Sequence, residues 1–249
     1  MSTLSPLITT DAILFTLLHD NSPATLPLTP ETTLTLAVWL QYRDHEPFTN
    51  TLALPGGFIK PTDENTLHSI KRVLTKKTGL IFNPENPLYL EQLRCVSGQT
   101  RDPRGWSLSD VWMSFCGPSI AQSLIDHSNT PNTLQGKWVP LHELYTHTIA
   151  FDHQSLIYEA AARLQRTASY SSLSAFFFEN QPFSTPELLH LTQTLLGHTI
   201  DGVTFRRKTE QLFSDCFEPA GSRPTSGRPA KLYRLKPHPL LRFGSLRSF

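Results

Sequence analysis

Two adjacent glycines in the segment Leu52-Ala-Leu-Pro-Gly-Gly-Phe58, followed by an amphipathic stretch that stops at Gly79, constrain this chain more than any other feature. Glycine opens backbone conformations closed to other residues, so a strand can end here in a tight loop. Thr62, Asp63 and Glu64 mark the start of a helix and Gly79 marks its end. Leu67, Ile70 and Leu74, at i, i+3 and i+7, predict one buried stripe along it.

The flanking sequence alternates between strand-like and turn-like stretches. Residues 12–18 and 33–40 are rich in β-branched and apolar side chains and read as paired strands. Further strands are predicted at 88–96, 108–116 and near 137–141, the first two joined by a polar loop that contains Arg101-Asp-Pro-Arg-Gly105. A helix follows from about residue 152 to 166, with Asp152 as its N-terminal cap and Ile157, Ala160, Ala161 and Leu164 on one side. The mixture is α+β, and the Ser/Tyr-rich residues 167–174 suggest a boundary between two separate units.

The second unit opens with the apolar run 175–178. Ser184 caps the next helix, Pro186 suits its first turn and Glu187 completes a capping box. Leu188, Leu191 and Leu195 form its buried face, and Gly197 ends it. A second helix, about 202–213, holds Phe205 and Leu212 at core spacing while presenting Arg206, Arg207 and Lys208. Residues 217–235 read as two strands around a loop at 219–229, with Tyr233 and Leu235 on one face. Helix, turn, helix, hairpin is the order of a winged helix.

Charge follows the same division. Residues 201–249 carry ten Lys/Arg against four Asp/Glu, a net +6, whereas residues 1–200 stand at −5, so the overall +1 conceals a basic C-terminus. That asymmetry favours a polyanionic partner at this end, the plain alternative being a tail that only aids solubility. With 249 residues, 39% of them hydrophobic, the chain is long enough to bury a sizeable core, and disorder is excluded as its main state. Cys95, Cys116 and Cys216 are an odd, widely spaced set that indicates neither a disulfide framework nor a zinc site; Cys95 and Cys116 are expected to be buried, inert strand thiols. No apolar run approaches membrane-spanning length and no signal peptide is legible, so the expected location is the cytoplasm.

The glycine loop and its helix resemble a Nudix box, the loop-helix-loop in which Nudix hydrolases hold divalent metals against a diphosphate. The match is in register from Glu64 through Arg72 to Gly79-Leu80, although the loop from Gly57 to Glu64 is one residue longer than usual. Where an active Nudix helix carries glutamates, this chain has Val73, Lys76 and Lys77. Metal-assisted diphosphate cleavage needs several carboxylate oxygens to hold Mg²⁺. Val73 offers none and the lysines repel a cation, so no catalytic residue, metal ligand or Mg²⁺ cofactor is expected. Glu64 remains, at a separation from Arg72 that allows the pairing the family uses. Hydrolysis of ADP-ribose or another nucleoside diphosphate derivative is the alternative, and would require Asp63, Glu64 or Glu91 to rebuild a metal site. A scaffold that binds only protein would show neither turnover nor DNA affinity.

The resemblance extends further. Together with Tyr89-Leu-Glu-Gln-Leu93, Arg101-Asp-Pro-Arg-Gly105, Ala150-Phe-Asp-His153, Thr204-Phe-Arg-Arg-Lys208 and Gly227-Arg-Pro-Ala-Lys-Leu-Tyr-Arg234, the box is similar in order and spacing to the NrtR family of Nudix-related transcriptional regulators. Such a resemblance implies a Nudix-like α/β/α sandwich with a mixed sheet over 1–150, a connecting helix at 151–170, a winged helix at 171–238 and a basic tail at 239–249. It further implies a homodimeric repressor of NAD-metabolism genes, released from operator DNA by an ADP-ribose-like nucleotide. On that reading Thr204, Arg206, Arg207 and Lys208 on the recognition helix, with Arg228 and Lys231 on the wing, contact DNA. Gly57, Phe58, Arg101 and Arg104 contact the effector, which would shift the relative orientation of the winged helices. For Arg101 and Arg104 two readings stand: bidentate binding of a diphosphate, or a loop in which Asp102 orders an arginine. Lys76 and Lys77 can likewise meet a phosphate or lie solvated at the helix C-terminus.

Overall fold

A computed structural model describes residues 5–29, 31–82, 88–225 and 227–236, without the side chains of 211–214. The expected core role of Leu212 and the basic tail at 239–249 lie outside the described residues. In chain order the elements are β1 (Leu7–His19), β2 (Ser22–Pro23), β3 (Thr35–Tyr42), β4 (Leu52–Ala53), β5 (Gly56–Phe58), α1 (Thr66–Thr78), β6 (Tyr89–Asp102), β7 (Gly105–Phe115), α2 (Pro118–Ser128) and β8 (Gly136–Pro140). They continue with α3 (His153–Ala168), β9 (Phe183–Ser184), α4 (Thr185–Leu196), α5 (Gly202–Asp215), β10 (Phe217–Arg223) and β11 (Ala230–Leu235); single-stretch 3₁₀ turns occupy Leu141–Thr146 and Ser172–Phe178.

β1 is buried from Thr10 to Leu18, as befits a strand covered on both faces. It lies antiparallel to β3, with Phe15 opposite Val38, and parallel to β7, with Phe15 opposite Phe115, so the N-terminal sheet is mixed. One face packs Ala12, Leu14, Trp39 and Trp112 under α1 and α2 through Ile70, Leu74, Ala121 and Leu124. The other face packs Ile13, Phe15, Val38 and Val111 under α3. The chain is therefore an α+β protein whose sheet sits between helical layers, followed by a winged helix whose small sheet runs β10-β11-β9. No helix among the described residues is long and apolar enough to cross a membrane.

Several expectations need correction. Helix α1 begins at Thr66, not near Thr62, because the Asn65 side chain takes the cap, accepting from the His68 N–H at 2.9 Å, while Asp63 is drawn away by Arg72. Leu67 is 39% exposed; the buried stripe is Ile70, Val73 and Leu74, nearer the axis that faces the sheet. The polar loop between β6 and β7 is a two-residue turn, since pairing continues to Asp102 opposite Gly105. Asp152 stands at the N-cap of α3 without capping it, its carboxylate being taken by Arg101. Cys95 is exposed on β6, whereas Cys116 is buried and its thiol is pushed up to about 12 by desolvation. Helix α2 was not anticipated: its N-cap is Gly117, which has no side chain to cap with, and Glu179 supplies the acceptor from outside, taking the Ile120 N–H at 3.1 Å and the Ser119 hydroxyl. In the wing, β10 continues past Pro219 to Arg223 by way of an irregularity before Ser222, so the connecting loop is shorter than 219–229.

The largest correction concerns the two units. A single buried cluster takes in Ile13, Phe15 and Phe115 of the sheet, then Phe177, Phe178 and Phe183, then Leu188, Leu191, Phe205 and Phe217 of the winged helix. Phe177 stacks on Phe115 with centroids 5.6 Å apart, and Phe178 stacks on Phe183 at 4.4 Å. The run 175–178 is buried on all sides and belongs to both halves, which share one core instead of standing apart.

Loss of apolar contacts anywhere in that cluster should therefore be felt throughout. All four tryptophans lie in the N-terminal half. Leu191→Ala, at a position with no exposed surface, should cost about 2–5 kcal/mol and displace the tryptophan-detected denaturant transition by that amount. Two independently folding units would leave that transition where it is.

Candidate ligand cleft and nucleic-acid interface

A cleft of about 310 Å³ opens where β1, β5, the end of β3, α1, the β6–β7 hairpin and the start of α3 converge. Its lip needs the glycine pair. A Cβ at Gly56 would lie 1.9 Å from Asp11 Oδ1, and one at Gly57 would lie 3.3 Å from Val73 Cγ2, so only bare backbone passes over the first helix and strand. Phe58 follows, 47% exposed at the rim. Arg72 staples this loop to α1: its Nε donates to Asp63 Oδ1 at 2.7 Å, while Nη2 donates to Asp63 Oδ2 at 2.5 Å and to the Phe58 carbonyl at 3.0 Å. The guanidinium beside Asp63 holds its carboxyl far below the ordinary range. The partner of Arg72 is therefore Asp63 and not Glu64. The loop has one residue more than usual, and the residue that reaches the arginine is displaced by one.

The floor of the cleft is built by residues that the sequence reading passed over. Asp11 is buried and accepts from the Ser109 hydroxyl at 2.5 Å. His153, at the first turn of α3, accepts the Leu54 N–H at 3.1 Å on Nδ1, which leaves its proton on Nε2, 3.9 Å from Asp11. Burial lowers the pKa of this imidazole, more than the nearby Asp11 raises it. Phe151 adopts a left-handed backbone (φ 57°), and its ring lies 4.8 Å below the Arg43 guanidinium and edge-on to Phe48. Positive φ at a non-glycine residue is a backbone cost concentrated at functional sites. The only sequence signal for this floor was the string Ala150-Phe-Asp-His153.

All four residues expected at the effector, Gly57, Phe58, Arg101 and Arg104, line the cleft. The two arginines are nevertheless both neutralised. Arg104 is held by Asp102 through Nε at 3.0 Å and Nη2 at 2.7 Å, which is the ion-paired arrangement weighed above, and lies 5.5 Å from the Phe58 ring centroid. Arg101 is held by Asp152 at 2.7 and 2.9 Å. The hairpin thus brings two fixed ion pairs to the cleft wall.

The donor set does not suit a divalent cation. Val73 is buried with its methyls against Gly57, and Lys76 and Lys77 line the cleft where oxygen ligands would be needed. Asp63 is committed to Arg72, and Glu91 to Arg163 and Tyr89. Among the described residues no group of three or more His, Cys, Asp or Glu side chains is placed to hold a metal ion.

The second surface lies on the winged helix. The Asp201 carboxylate accepts the Thr204 N–H at 2.8 Å and opens α5. Phe205 and Thr209 are buried beneath it, which turns Arg206 and Arg207 out to solvent, with Thr204 and Lys208 half-buried at the flanks. Arg228 and Lys231 are exposed on the wing. A buried carboxylate sets the pose of both parts: Glu187 accepts from the Ser184 N–H and hydroxyl at 2.7 and 2.6 Å, from Arg223 of β10 at 3.2 Å and from the Leu28 N–H of the N-terminal half at 3.1 Å. The capping box expected at this position is present, and it also ties the wing to the other half of the molecule.

Comparison with known proteins places both surfaces in context. Residues 175–235 match the family described as the NrtR DNA-binding winged helix domain. Over 201 residues, 80% of this chain and 75% of the relative, the chain is 32% identical to the ADPR responsive transcriptional repressor NtrR of Acinetobacter baylyi. The crystal structure of Shewanella oneidensis NrtR complexed with a 27mer DNA matches with a TM-score of 0.73 and 37% identity, covering 92% of this chain and 94% of that one. A MutT/nudix family protein from Enterococcus faecalis, 23% identical over 95% of this chain and 88% of its own, shares the fold with a TM-score of 0.65.

The neutral, buried state of His153 makes folding pH-dependent. Its folded pKa lies below the ordinary 6.5, so the unfolded chain binds the proton more readily, and stability present above that value is lost as pH falls through it. Thermal unfolding midpoints should drop below about pH 6.5. The drop should be smaller in His153→Gln, which does not titrate; equal slopes for the two proteins would show that His153 is not the group responsible.

Proposed function

The chain belongs to the NrtR family of Nudix-related transcriptional regulators, and from that membership we propose that it is a dimeric, cytoplasmic repressor of NAD-metabolism genes, released from its operator by ADP-ribose or a related nucleotide. The observation that carries this reading is the join of two sites through one core: an exposed arginine pair on the second helix of a winged helix, and a cationic cleft behind a glycine loop. The relative from Acinetobacter baylyi is named as ADPR-responsive and the Shewanella oneidensis relative was crystallised with DNA, which supports both halves of the proposal.

On this reading α5 enters the major groove. Arg206 and Arg207 reach guanine edges or phosphates, Thr204 and Lys208 flank them, and Arg228 and Lys231 take the backbone beside the wing. In the cleft, Gly57 lets the ligand approach the backbone and Phe58 offers a ring face, with Arg101 and Arg104 shaping the opposite wall. The protein binds its nucleotide without cleaving it, because Val73, Lys76 and Lys77 supply no metal ligands.

Helix α3 is the physical link between the sites. It begins in the cleft floor at His153 and is tied to β6 by Arg94–Glu159 and Arg163–Glu91. It ends against α4, where Gln165 Nε2 donates to the Leu196 carbonyl at 2.8 Å. A ligand that displaces the floor therefore pushes on the recognition module. By linkage, the effector binds free protein more tightly than DNA-bound protein, by the same factor by which it weakens DNA binding.

Fluorescence anisotropy with the chain's own upstream DNA tests the reading. Binding should be steeply salt-dependent and reversed by ADP-ribose. Arg206→Ala with Arg207→Ala should weaken it by about 10- to 100-fold and lower the salt slope by about one to two, without changing ADP-ribose affinity. Absence of binding above the non-specific level, or Mg²⁺-dependent formation of AMP from ADP-ribose, would overturn the proposal.

A further inference from the structure

The charges in the cleft are not equivalent. Arg72, Arg101 and Arg104 each face a carboxylate, Asp63, Asp152 and Asp102 respectively. Arg43, Lys60, Lys76 and Lys77 line the same cleft, Lys60 from the exposed loop after β5, and none of the four forms an ion pair among the described residues. Arg43 is held instead by carbonyls: Nε donates to Pro47 at 2.7 Å and Nη2 to His45 at 3.4 Å. Lys77 is half-buried, on a turn of α1 pinned to β3 by Gln41, whose amide donates to the Lys77 carbonyl at 2.7 Å. Burial first, and then Lys76 and Arg43, depress its ammonium, with Asp44 opposing. Burial and Arg104 likewise depress Arg43, more than Asp102, Asp44 and Asp11 raise it. Cations gathered in a partly desolvated cleft at mutual cost are relieved by an anion that enters between them.

We propose that Lys76, Lys77 and Arg43 form the diphosphate site of the effector, and that the two lysines stand in for the divalent metal that this helix would otherwise carry. The inference rests on the reading that the effector is a nucleoside diphosphate derivative. In a metal-dependent hydrolase, carboxylates hold the cation and the cation holds the phosphate. Here the positive charge is covalently part of the helix, so phosphate oxygens accept directly from ammonium and guanidinium donors. An ammonium neutralises charge but generates no hydroxide, so the ligand is held intact. The valine at position 73 completes the exchange, since it fills the space beneath Gly57 with methyl groups. The hairpin arginines, for which the sequence left a diphosphate contact and an ion-paired loop both open, become the paired wall beside the site.

Isothermal titration of the full chain with inorganic pyrophosphate and with ADP-ribose, each in EDTA and in Mg²⁺, tests this. Both ligands should bind in EDTA, with Mg²⁺ changing the ADP-ribose affinity by less than about twofold. Lys76→Gln and Lys77→Gln should each weaken both ligands by about tenfold and the double variant by about 100-fold, as expected for lost hydrogen bonds to charged groups. Lys77→Arg should retain most of the affinity, and an unchanged thermal midpoint would separate binding loss from misfolding. Binding that requires Mg²⁺, or that survives the double substitution, overturns the proposal while leaving the repressor reading intact. Lysine-dependent pyrophosphate binding without any ADP-ribose effect on DNA would uphold the site and overturn the effector assignment. Failure of both ligands to bind overturns both.

Discussion

Phe177 has no exposed surface and lies stacked on Phe115 of the central sheet, next to Phe178 and Phe183. The rest of the molecule depends on this aromatic join. A winged helix of its length buries little on its own, and here it completes its core against a sheet already covered on its other face. Burying a phenylalanine is worth about 1.5–3 kcal/mol, so exposing Phe177, Phe178 and Phe183 together by separating the halves would cost an amount comparable to a typical domain's whole stability. Any rearrangement that couples the cleft to the winged helix must leave this join intact.

Polar groups give the join its orientation. Glu179, just after the phenylalanine run, caps α2 of the N-terminal half, while Glu187, at the start of α4, accepts from Leu28 of that half and from Arg223 of the wing. Each carboxylate sits at the end of a helix where backbone N–H groups lack partners, so it is favourable by charge and by hydrogen bonding at once. Apolar packing alone permits sliding; these contacts select one pose, and with it the direction in which Arg206 and Arg207 face.

The cleft follows a similar economy of charge. Three of its arginines are neutralised by aspartates, which makes them architectural, and the remaining positive charge is carried by Arg43, Lys60, Lys76 and Lys77. Where an active Nudix helix carries glutamates, this frame presents Val73, Lys76 and Lys77 to the cleft. His153 and Asp11 below it connect the glycine loop and α3 within a few ångströms.

Local chemistry was legible in the chain. The capping box at Ser184, the left-handed stops at Gly79 and Gly197, the paired strands, the glycine loop and the basic helix all follow from side chains acting on their own backbone neighbourhood, and all are found. The replacement of metal ligands by Val73, Lys76 and Lys77 was likewise a matter of residue type and spacing. What lay beyond reach depends on partners distant in sequence. Asp63 and not Glu64 meets Arg72 because an extra loop residue alters which carboxylate arrives, and α2 escaped notice because its cap, Glu179, comes from about sixty residues away. Arg101 and Arg104 are neutral pairs and Lys77 is a partly buried cation for the same reason: an ion pair or a desolvated charge is a property of neighbours in space. The sequence by itself determined most of the elements, the capping box at Ser184, the glycine stops at Gly79 and Gly197, and the residue types at 73, 76 and 77. Only the tertiary structure decided that two halves share one core and which charges in the cleft are left to meet a ligand.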